Sequence, residues 1–393
     1  MILKEVKYGY DDLTIVPNVF TSITSRKEIV TTYSDGFYPI FTAPMASVVD
    51  MSNYDTFEEN KIHAIIPRNV SYEKRIKELK SGRFVAFSLN EFEEFFCDED
   101  NNTFKKSKTP VRVCIDLANG HMKKIYDLCA KAKSISISKR YTLIIMTGNI
   151  ANSSTYREIV KMKTFDDNLN IYVPIVDYIR CSIGSGCGCI TSSNTGIHYP
   201  IASLIDECNE IKKEIIHNTN KSIYDKDITK IVADGGIRNY DDIAKALALG
   251  ADYVMIGSLF SKCIESAGTK FIKNGENNID IEIGVFDNVT IRDGKWYETT
   301  PNGTVNQIGD IYVKYFGMAS KDGQESISGK KTSTAEGITK NLKVEYILKK
   351  WVENFDSYLR SSMSYCNTNN LDGFIGTPTL VPNTNHETSS VNK

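Results

Sequence analysis

No apolar run in this chain approaches the roughly 20 residues that a helix needs to cross a bilayer, so no membrane partner is expected. Neither charge sign dominates. With 47 basic against 49 acidic residues, the formal net charge of −2 lacks the electrostatic footprint of a nucleic-acid or membrane-surface binder. Histidine is scarce: His63, His121, His198, His217 and His386 are scattered, and no pair sits at metal-ligand spacing. The nine cysteines are odd in number and irregularly spaced, which argues against a disulfide scaffold and for reduced thiols in the cytoplasm. The opening "MILKEVKYGYDDL" turns acidic too early for a secretion signal. Two nucleotide signatures are also missing. No GxGxxG opens a helix after the first strand, and no Gly-Lys-Ser/Thr follows a glycine-rich loop.

What is present is alternation. Eight short, nearly continuous apolar runs read as buried parallel strands: 38–45, 62–69, 83–89, 111–117, 141–149, 175–184, 228–236 and 251–258. Amphipathic stretches such as 122–133, 154–163 and 240–250 fall between them as helices, the last ending on Gly250 where a C-cap belongs. Eight strand–helix units predict an α/β fold of the (β/α)8 TIM-barrel type as a single domain over 1–366, with a doubly wound sheet as the alternative. The Asn/Asp/Gly-rich segment 275–310 holds two strand-like runs around turn dipeptides and reads as a β-hairpin insertion. From Asn367 the sequence turns polar and Pro/Thr/Asn-rich, so 367–393 is expected to be a flexible tail.

The densest signal is "CSIGSGCGCITSSNTGIHYP" (181–200). A zinc site would need a second ligand pair beside Cys181, Cys187 and Cys189, and a cysteine-protease reading, with Cys189 paired to His198 or His121, lacks the surrounding signature. A phosphate site is better supported, because three strand ends carry small residues with free backbone N–H groups: 184–188, 233–237 and 256–258. Barrels bind phosphate with the loops after their last two strands. Cys189 then stands at the mouth of the same barrel. A buried structural role is the commoner fate of a cysteine, but a Gly/Ser/Thr-rich loop suits a nucleophile, with Thr191 placed to move a proton.

These residues resemble those of a known family. "IGSGCGCITSSNTGIHYP" is similar to the cysteine loop of the IMP dehydrogenase/GMP reductase family. The likeness continues through "DDLTIVP" (11–17), "TAPMASV" (42–48), "IDLANGH" (115–121), "TGN" (147–149), "ADGGIRNYDDIAKALALGADYVMIGS" (233–258), "YFGMAS" (315–320) and "AEG" (335–337). The resemblance implies that Cys189 attacks C2 of a purine nucleoside monophosphate, with Thr191 and Glu336 as a proton-transfer pair. It implies that Asp234 holds the ribose and that Gly236, Gly257, Ser258 and Tyr315 hold the 5′-phosphate. Gly317, Met318 and Ala319 would line the base, and Asp116 and Asn149 would face the nicotinamide cofactor. Backbone carbonyls of Gly184, Gly186 and Cys189 would hold K⁺, a flap would span 321–342, and the chain would assemble as a homotetramer.

Within the family, the reductase branch fits better. The interval 90–110 is too short for the regulatory insert of two CBS modules usual in the dehydrogenase, and no Arg-Tyr pair precedes "AEG". "LANGH" and "TGIHYP" also sit closer to the reductase versions. The implied reaction is NADPH-dependent reductive deamination of GMP to IMP and ammonia. The alternatives are oxidation of IMP to XMP with NAD⁺, with Arg68, Arg238 or Lys321 activating water, and a non-catalytic purine-nucleotide-binding protein. Cys187 replaces the serine usual at its position, Arg68 stands where His-Lys or His-Arg is usual, and Ala46 follows Met45 in place of Asp.

Overall fold

The computed structural model describes residues 5–218, 228–274, 277–281, 288–329 and 336–383. Its centre is a ring of eight parallel strands: β1 (Ile40–Thr42), β2 (Ile65–Ile66), β3 (Phe84–Phe87), β4 (Val111–Ile115), β5 (Leu143–Ile150), β6 (Tyr178–Cys181), β7 (Lys230–Asp234) and β8 (Tyr253–Ile256). Each pairs in parallel with its neighbour, and β8 returns to β1 in the register Val254↔Ile40 and Ile256↔Thr42. A parallel bridge between Phe41 and His63, just before β2, closes the ring. The expected (β/α)8 barrel is therefore the observed architecture.

Alternation along each strand sorts the side chains. On β8, Tyr253 and Met255 point into the barrel, where they pack with Phe41, Phe84, Met146 and Val232. Val254 and Ile256 point outward into the layer beneath the helices. The helices are α1 (Tyr54–Glu59), α2 (Tyr72–Lys80), α3 (Leu89–Phe96), α4 (Lys123–Ser138), α5 (Ser153–Lys161), α6 (Ile201–Asn218), α7 (Tyr240–Ala248) and α8 (Leu348–Tyr365). Local chemistry starts several of them. Ser88 Oγ accepts from Glu91 N at 3.3 Å while the Glu91 carboxylate accepts from Ser88 N at 2.8 Å, a reciprocal cap on α3. Helix α4 runs five residues beyond the expected 133. "SISIS" alternates like a strand, yet Ile135 and Ser136 are buried, and packing overrides the local pattern.

Between β8 and α8 the chain makes a long excursion. Strands β9 (Lys270–Asn274), β10 (Asn277–Ile281), β14 (Ile311–Phe316) and β15 (Thr339–Lys343) form one antiparallel sheet in the order β10-β9-β14-β15. Within the segment expected as a hairpin, β11 (Val289–Arg292) and β12 (Lys295–Thr299) pair around Asp293-Gly294, both at positive φ, as such a turn requires. A third strand, β13 (Val305–Gln307), extends the pair. Trp296 anchors this small sheet: it is fully buried beside Val289, Ile311 and Val313, and its indole N–H donates to the Val344 carbonyl at 3.0 Å. A second hairpin, Lys163–Asp166 with Ile171–Pro174, precedes β6 and was not expected.

The C-terminal segment departs from expectation. Residues 367–383 do not hang free. Leu371 and Phe374 are buried one helical turn apart, Asn370 caps that turn through Gly373 N at 2.8 Å, and Leu380–Pro382 pairs antiparallel with Leu13–Ile15. The polar residues around them suggested mobility, but two apolar anchors and one strand suffice to hold the segment. The remainder, 384–393, lies outside the described residues. Phe374→Ala should lower unfolding free energy by about 3–5 kcal/mol through the cavity it leaves. Guanidinium denaturation measures this, and a loss below about 1 kcal/mol would mean the segment contributes little.

Candidate active site

A parallel barrel brings every strand's C-terminal end to one face, so the loops after β4 to β8 converge there. Two adjoining cavities of about 600 and 560 Å³ open on this face. They share Ser185, Gly186, Asp234, Gly235, Met45 and Met255. Together they form one elongated groove.

The 181–200 loop lines this groove and is zipped to the segment after the helix Lys321–Ser328. Ile190 N donates to the Glu336 carbonyl at 2.9 Å, Ile338 N donates to the Gly188 carbonyl at 2.9 Å, and Cys189 bridges Gly337. Gly337 permits the approach: a Cβ there would lie 2.8 Å from Ser320 N and 3.1 Å from Gly188 O. This pairing brings three expected residues into line. Cys189 Sγ lies 3.2 Å from Thr191 Oγ1, and that hydroxyl donates to Glu336 Oε2 at 3.0 Å. The thiol therefore meets a hydroxyl that is itself oriented by a carboxylate. No histidine joins them. His121 is spent between Thr155 Oγ1 and Ala151 N, both at 3.0 Å, and His198 Nδ1 faces the Ile183 carbonyl at 2.9 Å. Among the described residues, no three of His, Cys, Asp and Glu converge as a metal site.

Beneath the loop, Asp116, Asn149, Asp234 and Arg68, all expected near the site, meet around Arg180, which the sequence did not single out. Arg180, on β6, has a side chain 4% exposed, and its two Nη atoms each lie 3.3 Å from Asp116 Oδ1. Its Nη1 also lies 3.8 Å from Asp234 Oδ2. Arg68 Nε donates to the other Asp116 oxygen at 3.2 Å, and Asn149 Nδ2 donates to Asp234 Oδ2 at 2.7 Å. Burial pushes the Asp234 carboxyl above its ordinary range, with Arg180 and Asn149 opposing that shift. Gly148 makes the crowding possible, since a Cβ there would sit 2.5 Å from the Arg180 carbonyl oxygen. The signal was present: an arginine inside an apolar strand must find carboxylates or pay heavily for desolvation.

The other expected residues divide between the two cavities. Asp116, Asn149, Gly184, Met318 and Ala319 line the larger one, whereas Gly236, Gly257, Ser258 and Tyr315 line the smaller. Tyr315 is buried, and its hydroxyl would lie 3.6 Å from a Cβ on Gly257. Gly317 lines neither cavity; it backs Gly188, whose Cβ would meet Gly317 N at 3.2 Å. Several buried polar atoms around this face have no partner among the described residues: Tyr10 OH, Arg180 Nε, Ser182 Oγ and Ser185 Oγ. Such orphans are rare in folded proteins.

Arg180→Met would leave Asp234 without a counter-charge, while Arg68 still holds Asp116. Stability at pH 7 should fall by about 3–5 kcal/mol. The deficit should shrink towards pH 5, because protonating a carboxyl whose pKa burial has raised removes the uncompensated charge. Denaturation curves at the two pH values test both parts, and a pH-independent deficit would argue for lost packing instead.

Comparison with known proteins gives this geometry its relatives. A family model described as the IMP dehydrogenase / GMP reductase domain matches residues 7–281. A protein named GMP reductase from Helicobacter pylori (strain J99 / ATCC 700824) is 28% identical over 280 residues, covering 68% of this chain and 75% of that protein. One of the same name from Streptococcus pyogenes serotype M4 (strain MGAS10750) is 29% identical over 281 residues, covering 68% and 74%. No described helix is long and apolar enough to cross a membrane. With the barrel, the cysteine loop and a match over most of its length, the chain belongs to the IMP dehydrogenase/GMP reductase family.

Proposed function

We propose that the chain is an oxidoreductase that converts GMP to IMP and ammonia with NADPH. The observation that carries this reading is the Cys189–Thr191–Glu336 line, whose cysteine and threonine share the larger cavity with Asp234. Relatives named GMP reductase support it. So does the absence of arginine from 321–342, which leaves no guanidinium there to activate water for the dehydrogenase direction.

The Cys189 sulfur attacks purine C2, forming a C–S bond and pushing the ring electrons onto N3. Thr191, relaying from Glu336, delivers the proton that lets the 2-amino group leave as ammonia, since an amide anion is a far poorer leaving group. A reduced nicotinamide, which Asp116 and Asn149 in the larger cavity would hold, would supply the hydride that C2 accepts. The C–S electron pair then returns to sulfur, which leaves IMP with a C2–H bond. Two protons are consumed per ammonium released. Asp234, fixed by Asn149, faces the space between the cavities, where ribose hydroxyls would donate to it. Asp116, Leu117 and Ala118 give the cofactor half of the groove one charged and two apolar surfaces.

The cysteine loop also fits a monovalent cation. Among the described residues, the Gly184 carbonyl receives only Ser192 Oγ at 3.4 Å, and the Gly186 carbonyl receives Cys189 N at 3.0 Å. Each oxygen keeps a second lone pair, and neutral carbonyls without a carboxylate suit K⁺ better than a divalent ion. The Cys189 carbonyl would complete the set, and the cation would fix the loop's curvature.

In K⁺ buffer, GMP should drive loss of nicotinamide absorbance with one ammonia released per cofactor oxidised. A gain of reduced cofactor with IMP and NAD⁺, and silence with GMP, would reverse the proposal. Cys189→Ala should lower kcat by about 10³-fold or more while leaving nucleotide binding intact. Glu336→Gln should lower kcat by about 10²-fold or more, with KM for GMP changed only slightly. Unchanged turnover in either variant removes that residue from the chemistry.

A further inference from the structure

The smaller cavity holds a cation whose placement follows from strand register. In the β14–β15 pair, Lys340 is the direct partner of Tyr315. Directly opposed residues in antiparallel strands present their side chains on the same face, and both line this cavity. The Lys340 ammonium lies 3.7 Å from Cys187 Sγ. Cys187, on the glycine loop, and Gly236, Gly257 and Ser258, at the ends of β7 and β8, share the same lining. We propose that Lys340 is the charged anchor for the 5′-phosphate of the bound nucleotide, an assignment that rests on the purine-nucleotide reading above.

The other polar groups of this cavity are largely committed. Lys7 is held by Glu5 and Glu207, each at 2.9 Å, and Arg238 by Asp11 at 2.5 Å. Asp12 accepts from Gly9 N at 2.7 Å. His198 must carry its proton on Nδ1 to meet the Ile183 carbonyl, so the neutral ring offers only an acceptor at Nε2. The Gly236 N–H already donates to the Ser185 carbonyl at 3.1 Å. A thiol is a weak donor, so Cys187 contributes little to an anion. Lys340 has no carboxylate within ion-pair reach among the described residues, and its three N–H donors face the cavity with only the sulfur nearby. The Tyr10 ring packs against Gly236 at the back of the same lining. A phosphate there would accept a charge-assisted bond from Lys340, roughly twice as strong as a neutral one.

Calorimetric titration of the purified full chain in K⁺ buffer, with GMP and with guanosine, tests the assignment. Lys340→Met should weaken GMP at least about tenfold, spare guanosine, and flatten the salt dependence of GMP binding. Lys340→Arg should restore most of the loss, because it keeps the charge. Unaltered melting of both variants excludes misfolding as the cause. GMP binding by Lys340→Met within about twofold of wild type overturns the anchor. So does a loss that Lys340→Arg fails to restore, or one shared equally by guanosine, since each marks a change of shape rather than of charge. If the wild-type chain binds neither GMP nor IMP, the purine-nucleotide reading fails first and the anchor falls with it.

Discussion

Two backbone hydrogen bonds, Ile190 N to Glu336 O and Ile338 N to Gly188 O, hold together segments far apart in sequence. The site depends on that short antiparallel seam. It sets Cys189 and Thr191 against Glu336, and it fixes where β15 begins and therefore which face Lys340 and Tyr315 share. Backbone pairing does here what side-chain contacts alone do poorly. It fixes register, and a slip of one residue would turn each of these side chains to the opposite face. Gly337 lets the strands approach closely enough for the seam to form, and Gly188 lets the loop lie against Gly317.

The electrostatics are arranged around the same seam in two unlike layers. Below it, Arg180 and Arg68 meet Asp116 and Asp234 in a compact set of charges, with Asn149 donating to the Asp234 oxygen that Arg180 also approaches. Such a floor is stiff, because moving any member strands another without a counter-charge. Above it, the Cys189–Thr191–Glu336 line lies at the groove surface, where a hydroxyl and a carboxylate can exchange protons without breaking a buried pair. Rigid charge beneath and mobile protons above suit a site that must first orient a substrate and then move protons through it.

Most of the barrel was legible in the sequence, because buried parallel strands are written as continuous apolar runs ending in small residues. The convergence of Cys189, Asp234 and Glu336 was legible only through motifs resembling a known family, since local patterns say nothing about which loops meet. What stayed hidden has physical causes. The extension of α4 follows from burial of Ile135, and the ordered C-terminal segment from Leu371 and Phe374, contacts that no local pattern displays. Arg180 was visible as a charge in an apolar strand, but its partners arrive from β4 and β7. Lys340 carried no local signal at all. Its meaning lies entirely in being paired with Tyr315.

The excursion between β8 and α8 has a consequence for biosynthesis. Phe260, just after β8, packs edge-on against Trp351 of α8 at 5.1 Å, so the last barrel strand is covered only when that helix arrives. At about 5–20 residues per second, the intervening stretch takes roughly 5–18 s to translate. During that interval the nascent barrel presents an uncovered apolar seam beside its first strand. Leu380–Pro382, which ties down Leu13–Ile15, emerges later still. These two paired segments are therefore joined last. A ribosome stalled within the excursion would display a nearly complete ring that still lacks its final helix, a natural target for chaperones that recognise exposed apolar surface.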